Sequence, residues 1–331
     1  MFEDHIFALC CPRTGNNLNI ENAEVDADGN IRSGILTESA SGNVYPVVNY
    51  IPRFVPESNY ANNFGLQWNV HERTQFDMYS GHNLSKSRFD KETKWGNDLR
   101  NESILEVGSG SGRFTKHALE TGAFVASFDY SSAVDANFRS NGHHKNLLLV
   151  QADVFNLPFR KAFFNKSFCF GVLQHTPDPR GAFFSILKHV VPGGKIAVDI
   201  YDLRLRTLLD TKYYVRGVTK RMRPDLLYKI IKSYIDFVWP MCKVIRNIPF
   251  LGPNLNWALL VADYSRTLQN ADDSLLKEWA YLDTFDMLSP KYDKPKSIHE
   301  VRKWFAQAGI TDIDVCYGYN GIEGRGTLSS G

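Results

Sequence analysis

ILEVGSGSGRF, residues 104–114, joins an apolar run to a glycine-rich turn. Gly108, Gly110 and Gly112 stand at alternate positions, and glycine permits positive φ angles and close approach of a ligand to the backbone. A helical pattern follows over residues 114–122 and ends at a glycine, which favours helix termination. The first N–H groups of such a helix can bind a polar or anionic group. The segment therefore predicts a strand, a ligand-binding turn and a helix.

Four further apolar runs follow at intervals that leave room for helices between them: residues 124–130, 147–153, 167–173 and 195–201. Strands that alternate with helices form a parallel sheet covered on both faces. We therefore predict an α/β fold with a doubly wound, mostly parallel sheet. Ligands of such sheets bind at the carboxyl ends of the strands, so the residues after each run are candidates for a site.

Two aspartates stand at such strand ends. Asp129 follows Gly108 by about 20 residues, the spacing at which an acidic side chain binds ribose hydroxyls in this fold type. Asp153 ends the third run, where its carboxylate could accept from an adenine amino group while Val154 and Phe155 pack against the ring. Either aspartate could instead cap the helix that follows it.

The whole middle third of the chain resembles one family. Arg113 stands where a nicotinamide dinucleotide fingerprint needs its third glycine, which disfavours that cofactor. Five segments resemble, in order, the motifs of class I methyltransferases that use S-adenosylmethionine (SAM): ILEVGSGSGRF, SFDYS, QADVFNLPF, GVLQHTPDP and VVPGGKIAVDIY. The resemblance covers about residues 100–201. It implies a Rossmann-like fold, with SAM as cofactor and S-adenosylhomocysteine as product.

The same resemblance assigns roles to individual residues. Glu106 is expected near the methionine amino group of SAM, and the three glycines are expected to form the cofactor turn. Asp129 is expected to bind the ribose and Asp153 the adenine, with Val154 and Phe155 beside it. Gln174 is expected at the rim of the cofactor pocket.

The flanks resemble a narrower group. FGLQW (64–68), RTQFD (73–77) and LDTFDMLSPKYDKP (282–295) are similar to bacterial methyltransferases associated with sugar and cell-envelope-glycan pathways. Residues 1–60 resemble a small zinc-ribbon-like unit that has lost its metal cysteines. Arg13 replaces the second cysteine of the expected pair, and a zinc site needs four ligands. We therefore expect no metal, the alternative being a partial metal site.

These features divide the chain into four parts. Residues 1–60 form the small β-rich unit and residues 61–202 the SAM-binding core. Residues 203–295 form a helical insertion that caps the acceptor pocket, and residues 296–331 a helix and strand that complete the core. Five scattered cysteines favour a reducing compartment, and neither a signal peptide nor a transmembrane run is evident. We expect a cytoplasmic protein and make no prediction of its oligomeric state.

The fourth run ends in QHTP, which places a candidate general base at the pocket. Histidine is the side chain whose charge changes most readily near neutral pH, so His175 could accept a proton from the acceptor. It could instead only pack against the cofactor, and Asp199 and Tyr201 at the end of the fifth run compete for the role. QHTP does not match the NPPY-like motif that nucleic-acid amino-methyltransferases usually carry there, which makes nucleic acid an unlikely acceptor.

A basic segment follows the fifth run. Residues 204–246 hold eleven Lys or Arg and three Asp, although the net charge of the chain is only +2. The segment could be a solvated helix face or a peripheral membrane contact. It could also bind phosphate on the acceptor, through Lys220, Arg221 and Arg223, with Tyr292 as a further acceptor contact.

The predicted function is methylation of a small polar acceptor by SAM. A sugar or sugar-bearing metabolite, possibly phosphorylated and so anionic, is the favoured class of acceptor. An RNA methyltransferase is one alternative. A SAM-binding regulator or scaffold without catalytic activity is the other.

Overall fold

The computed structural model describes residues 1–56, 59–203 and 211–329. Their centre is a seven-stranded sheet with the order β10-β11-β9-β8-β5-β6-β7. Its strands are β5 (Ser103–Val107), β6 (Phe124–Asp129), β7 (Leu147–Gln151), β8 (Phe164–Cys169), β9 (Val190–Ile200), β10 (Ile310–Gly318) and β11 (Gly321–Leu328). The strands from β5 to β9 pair in parallel, whereas β11 runs antiparallel to both β9 and β10.

The parallel pairing of the central strands confirms the predicted fold class. Strands β5, β6 and β7 are mostly apolar and are buried along almost their whole length. Helices cover both faces of a parallel sheet, so its strands carry no solvent-facing positions. These helices are α4 (Arg113–Glu120), α5 (Ala133–Asn141), α6 (Pro179–Leu187) and α11 (Ile298–Gln307). The chain passes from β5 through β6 to β7 and then returns to β8 on the other side of β5. This switch point opens a crevice at the carboxyl ends of β5 and β8.

One strand was predicted with the wrong end, and another was not predicted at all. The fourth strand ends at Cys169 rather than at residue 173, since Gly171 takes a φ of +73° and residues Leu173–His175 form a 3-10 turn. The glycine-rich strand β11 was not predicted. A Cβ at Gly324 would lie 2.8 Å from the Phe305 ring, so glycine lets helix α11 pack closely on the sheet.

The N-terminal unit is an antiparallel sheet of four strands, β1 (Asn19–Val25), β2 (Ile31–Thr37), β3 (Val44–Val48) and β4 (Ile51–Pro52). Its apolar residues Leu9 and Val47 belong to the same core as Val150 and Phe159 of the central domain. Backbone bridges join Leu9 to Phe159 and Arg53 to Gln151. The unit is therefore packed onto the central sheet. Within the described ranges, no group of three or more His, Cys, Asp or Glu side chains is arranged to hold a metal ion.

Seven further α-helices are described: α1 (Asn62–Val70), α2 (Asp77–Ser80), α3 (Leu84–Thr93), α7 (Thr211–Thr219), α8 (Pro224–Arg246), α9 (Gly252–Ala258) and α10 (Asp273–Leu288). Helix α3 packs on the central domain through Phe89, whereas most of the others form a second, helical body. Helices α8 and α10 share an apolar core of their own, which includes Ile231, Ile235, Trp279 and Phe285, and Leu66 of α1 packs against it. None of the helices that the structure describes is both long and apolar enough to cross a membrane.

A buried ionic network ties helix α3 to the central sheet. The Arg88 guanidinium donates to Glu92 at 2.6 Å and to Asp199 on β9, and all three side chains are at least 94% buried. Asn320 also donates to Asp199, at 3.4 Å. Burial and the nearby Asp199 raise the pKa of Glu92, which leaves Asp199 as the charge that balances Arg88. Asp199 therefore holds Arg88 and does not face the site that sequence analysis assigned to it.

Arg88→Met should destabilise the protein by about 3–5 kcal/mol, because the change leaves the Asp199 carboxylate buried without its partner. Lys86→Met is the matched control, since Lys86 and Asp90 form a pair of the same spacing on the same helix, with side chains 29% and 44% exposed. Loss of that pair should cost about 0–1 kcal/mol. Equilibrium unfolding in urea measures both changes. Similar small losses in the two variants would contradict the assigned role of the network.

Candidate active site

A cavity of about 630 Å³ opens at the carboxyl ends of β5 and β8. The glycine turn after β5 lines it, together with residues of α1, α10 and the loop before α11. The crevice expected from the strand order is therefore enclosed by the second helical body.

The three glycine positions of the turn leave little or no room for a side chain. Gly108, Gly110 and Gly112 have φ angles of +74°, +52° and +92°. A Cβ at Gly108 would lie 2.3 Å from Val172, and one at Gly112 would lie 2.2 Å from Asn137. Gly108 and Gly110 line the cavity, whereas Gly112 serves the packing of α4 against α5.

Asp129 both fixes this turn and lines the cavity. Its Oδ2 accepts from Gly110 N at 3.0 Å, and its Oδ1 accepts from Ser131 N at 2.8 Å and from Ser131 Oγ at 2.7 Å. Burial raises the pKa of Asp129, and the hydrogen bonds from Ser131 and Gly110 oppose that rise. Asp129 does not cap α5, because the N-cap residue of that helix is Ser132 and the bonds of Asp129 go to Ser131 and Gly110. The side chain of Asp129 borders the cavity.

The other predicted cofactor residues differ in position. Val154 lines the cavity, but Asp153 and Phe155 do not, and Asp153 Oδ1 accepts from Phe155 N at 3.0 Å. Gln174 is fully buried away from the cavity, and neither end of its amide has a partner among the described residues. Glu106 also lies outside the lining, and its Oε2 accepts from the hydroxyls of Thr115 and Ser127.

His175 and Tyr201 meet at the cavity wall, with their rings 5.4 Å apart and edge to face. His175 Nδ1 lies 3.0 Å from the carbonyl oxygen of Tyr292. A carbonyl only accepts, so Nδ1 carries the hydrogen and Nε2 of the neutral ring is an acceptor. Burial, and then the charge of Asp286, raises the pKa of Tyr201 well above its usual range, so Tyr201 stays protonated and acts as a donor. Tyr292 contributes its backbone here and does not line the cavity.

The basic residues predicted to bind the acceptor lie elsewhere. Lys220, Arg221 and Arg223 are exposed and do not line the cavity, and Arg223 pairs with Asp225. Charge along the chain does not specify which helix face points inward, which is why the prediction failed. Arg204, Arg206 and Asp210 of the same basic segment lie outside the described residues. Among the residues that the structure describes, the Lys and Arg side chains that line the cavity are Arg88, Arg113 and Lys212.

Acidic side chains that the sequence analysis missed form part of the cavity wall. Asp283 and Asp286 stand three residues apart on α10, so both point to the same side of the helix, and Asp293 follows in the next loop. Burial and the neighbouring Asp286 raise the pKa of Asp283 to about 7, although a hydrogen bond from Tyr264 and the charge of Arg113 oppose the rise. The spacing in DTFD places both carboxylates on one side of the helix, but it does not show whether that side faces the cavity or solvent.

Four buried polar atoms in the lining have no hydrogen-bond partner among the described residues. They are Gln67 Oε1, Gln75 Oε1, Asp293 Oδ1 and Trp279 Nε1. Three of the four are acceptors, and unpaired buried polar atoms are costly unless a ligand or water satisfies them. The rings of Trp257, Tyr264 and Trp279 line the same cavity. The wall therefore suits a polar ligand that donates several hydrogen bonds.

Comparison with known proteins places the methyltransferase signal in the central domain. Residues 105–198 match the family model described as a methyltransferase domain, which is under a third of the chain. The tRNA U34 carboxymethyltransferase of Nautilia profundicola is 29% identical over 105 residues, 31% of this chain and 35% of that protein. The ubiquinone biosynthesis O-methyltransferase of Xylella fastidiosa is 28% identical over 145 residues, 43% of this chain and 57% of that protein.

The chain thus spans between 35% and 57% of the length of the curated relatives it matches. Among solved structures, a putative S-adenosyl-L-methionine-dependent methyltransferase from Methanococcus maripaludis is similar with a TM-score of 0.45 and 12% identity. The similarity covers 83% of this chain and 96% of that one.

Glu106 should make stability depend on pH. Burial raises the pKa of Glu106 to about 7 from an ordinary value of 4.5, although Thr115 and Ser127 donate to it. The folded protein therefore binds this proton more tightly than the unfolded chain. The contribution of Glu106 to stability is full below pH 4.5 and is lost as the pH rises to 7.

Glu106→Gln removes this titration. Between pH 4.5 and 8, the unfolding free energy of the variant should rise relative to the wild type by roughly 3 kcal/mol. Urea unfolding of both proteins without cofactor, at a series of pH values, measures the difference. Parallel pH profiles would show that Glu106 titrates normally in the folded state.

Proposed function

We propose that residues 105–198 form a methyltransferase domain of the class I, SAM-dependent superfamily and that the protein methylates a small polar acceptor in the cavity beside it. The observation that carries this proposal is the joint lining of one cavity. The glycine turn and Asp129 form one part of it, and acidic and aromatic residues of the helical body form another. Cofactor and acceptor would therefore meet in the same enclosed space.

The residues at the turn fit SAM. Because Gly108 has no side chain, its backbone borders the cavity directly and a nucleoside could approach it closely. Val154 offers an apolar surface for the adenine. An ionised carboxylate has about four acceptor positions, and three donors already occupy Asp129, so about one position is left for a ribose hydroxyl. Arg113 lines the cavity next to the turn and provides a cation for the methionine carboxylate. When bound, SAM supplies an electrophilic methyl group.

Asp129→Ala should weaken the binding of SAM by roughly 1.5–3 kcal/mol, because the change removes a charged hydrogen-bond acceptor from the cavity. Asp153→Ala is the matched control. Asp153 does not line the cavity, so its loss should have the smaller effect. Isothermal titration calorimetry measures both affinities. A larger loss in Asp153→Ala than in Asp129→Ala would reverse the assignment.

The chemistry of the wall supports a hydroxyl-rich or amine-bearing acceptor, such as a sugar. Asp283, Asp286 and the free oxygens of Gln67 and Gln75 accept hydrogen bonds, and aromatic rings offer faces on which a sugar can stack. A phosphorylated acceptor is less well supported. Lys212 pairs with Asp293, and the exposed basic residues lie away from the cavity.

A concave cavity of about 630 Å³ favours a small molecule over a polynucleotide. RNA stays the alternative acceptor class. It is distinguished from a metabolite by the product that carries the methyl group.

For a hydroxyl or amine acceptor, His175 is the proposed general base. Its Nε2 can accept the acceptor proton, while the hydrogen bond from Nδ1 to Tyr292 holds the ring in the required tautomer. Asp283 is the competing base, because its pKa near 7 lets it exchange a proton at neutral pH. Asp199 does not enter this proposal, since it is bound to Arg88.

Incubation with SAM and a polar metabolite extract should yield S-adenosylhomocysteine and a methylated small molecule, detected by mass spectrometry. With that acceptor, His175→Ala should lower kcat by about 10²–10⁴-fold and leave SAM affinity unchanged. Asp283→Asn should mainly raise KM. A large loss of kcat in Asp283→Asn with near-normal His175→Ala would identify Asp283 as the base. If no acceptor from metabolite or RNA pools is methylated, the proposed activity is wrong.

A further inference from the structure

Helix α8 carries a second apolar face that is exposed in the part of the chain that the structure describes. The buried face, which includes Leu227, Ile231, Ile235 and Cys242, packs in the core shared with α10. Next to it runs a stripe of exposed residues at spacings of three, four and seven. We call the outer face of α8 the set Leu226, Ile230, Tyr234, Phe237, Met241, Val244 and Ile248.

The outer face is long and strongly exposed. Phe237 is 85% and Val244 72% exposed, and the 23 residues of α8 extend for about 34 Å. Beyond the helix, Phe250 is 90% exposed, and Leu251 and Leu255 are also exposed. Tyr234 Oη donates to the carbonyl of Leu259 at 2.6 Å, which fixes this segment beside the helix. Single exposed apolar residues are ordinary, whereas a continuous set of this length marks an interaction surface.

The charges around the outer face have one dominant sign. Between residues 220 and 250 the exposed charged side chains are Lys220, Arg221, Arg223, Lys229, Lys232 and Lys243, against Asp225 and Asp236. Arg223 pairs with Asp225, Lys232 with Asp236 and Lys243 with Asp273, so the excess positive charge is carried by Lys220, Arg221 and Lys229. Lys229 stands one helical turn after Leu226 and directly precedes Ile230, so it borders the stripe itself. The complementary surface is therefore anionic as well as apolar.

We propose that the outer face of α8 docks the protein on an anionic lipid surface. An amphipathic helix in this position lies parallel to the membrane, with its apolar residues below the headgroups and its lysines among the lipid phosphates. A second copy of the chain is a poorer occupant. In a two-fold contact the same patch meets itself, which would bring the excess positive charge of Lys220, Arg221 and Lys229 in each copy towards that of the other.

Co-sedimentation of the full chain with vesicles tests this proposal. The protein should bind vesicles of phosphatidylcholine mixed with phosphatidylglycerol, bind pure phosphatidylcholine much less, and lose affinity as salt is raised. The double variant Phe237→Ser with Val244→Ser should lower the partition coefficient by about tenfold or more, given the apolar area withdrawn from the lipid. Lys220→Ala with Lys229→Ala should reduce binding to the anionic vesicles only.

Val44→Ser with Val48→Ser is the matched control, since these two exposed residues lie on strand β3 of the N-terminal sheet. That control should bind like the wild type. SAM binding by each variant shows that the fold is kept. Absence of binding to anionic vesicles would overturn the proposal, and so would full binding by the Phe237 and Val244 variant. Light scattering that shows a dimer, broken by the same variant, would assign the face to a second copy instead.

Discussion

The turn between β5 and α4 has no spare volume, and the geometry of the site depends on that constraint. Val172 fills the space beside Gly108, and Asn137 fills the space beside Gly112. Because the chain can follow this path only with glycine, bare backbone reaches the cavity. Asp129 then closes the turn through Gly110 N and faces the cavity at the same time. A packing requirement and a binding surface thus come from the same few atoms.

The sequence predicted the parts of the molecule whose burial follows from local pattern. The strands β5 to β7 are mostly apolar and almost entirely buried, as parallel strands covered by helices require. Strand β11 was not predicted because glycines such as Gly324 and Gly326 interrupt the alternation of apolar and polar residues that indicates a strand. Close packing leaves no room for a side chain at these positions. Similarly, residues 170–173 look like strand but turn at Gly171.

The cavity lining was predictable only in part on its sheet side, where Gly108, Asp129 and Val154 line the cavity but Asp153, Phe155 and Gln174 do not, and it was not predictable on its helical side. Asp129 follows a strand at a spacing that the fold itself sets, so position along the chain suffices to find it. Asp283 and Asp286 stand on a helix, where acids three residues apart normally indicate a solvated face. They face the cavity because α10 packs against α8 through its other side, and this tertiary contact cannot be read from the local sequence. The same limit applies to Lys220 and Arg221, whose density in the sequence said nothing about the direction they face.

The two sides of the cavity rest on separate hydrophobic cores, one around the central sheet and one between α8 and α10. Under the proposed function, the surface that binds the cofactor and most of the surface that binds the acceptor would be supported by different cores. Helix α1 joins the two, since Leu66 packs on the second core and Trp68 lies beside Gly110. Evolution could graft a different helical body onto the same sheet and obtain a new specificity while the methyl donor stays the same. A protein engineer could exchange the same segment by design.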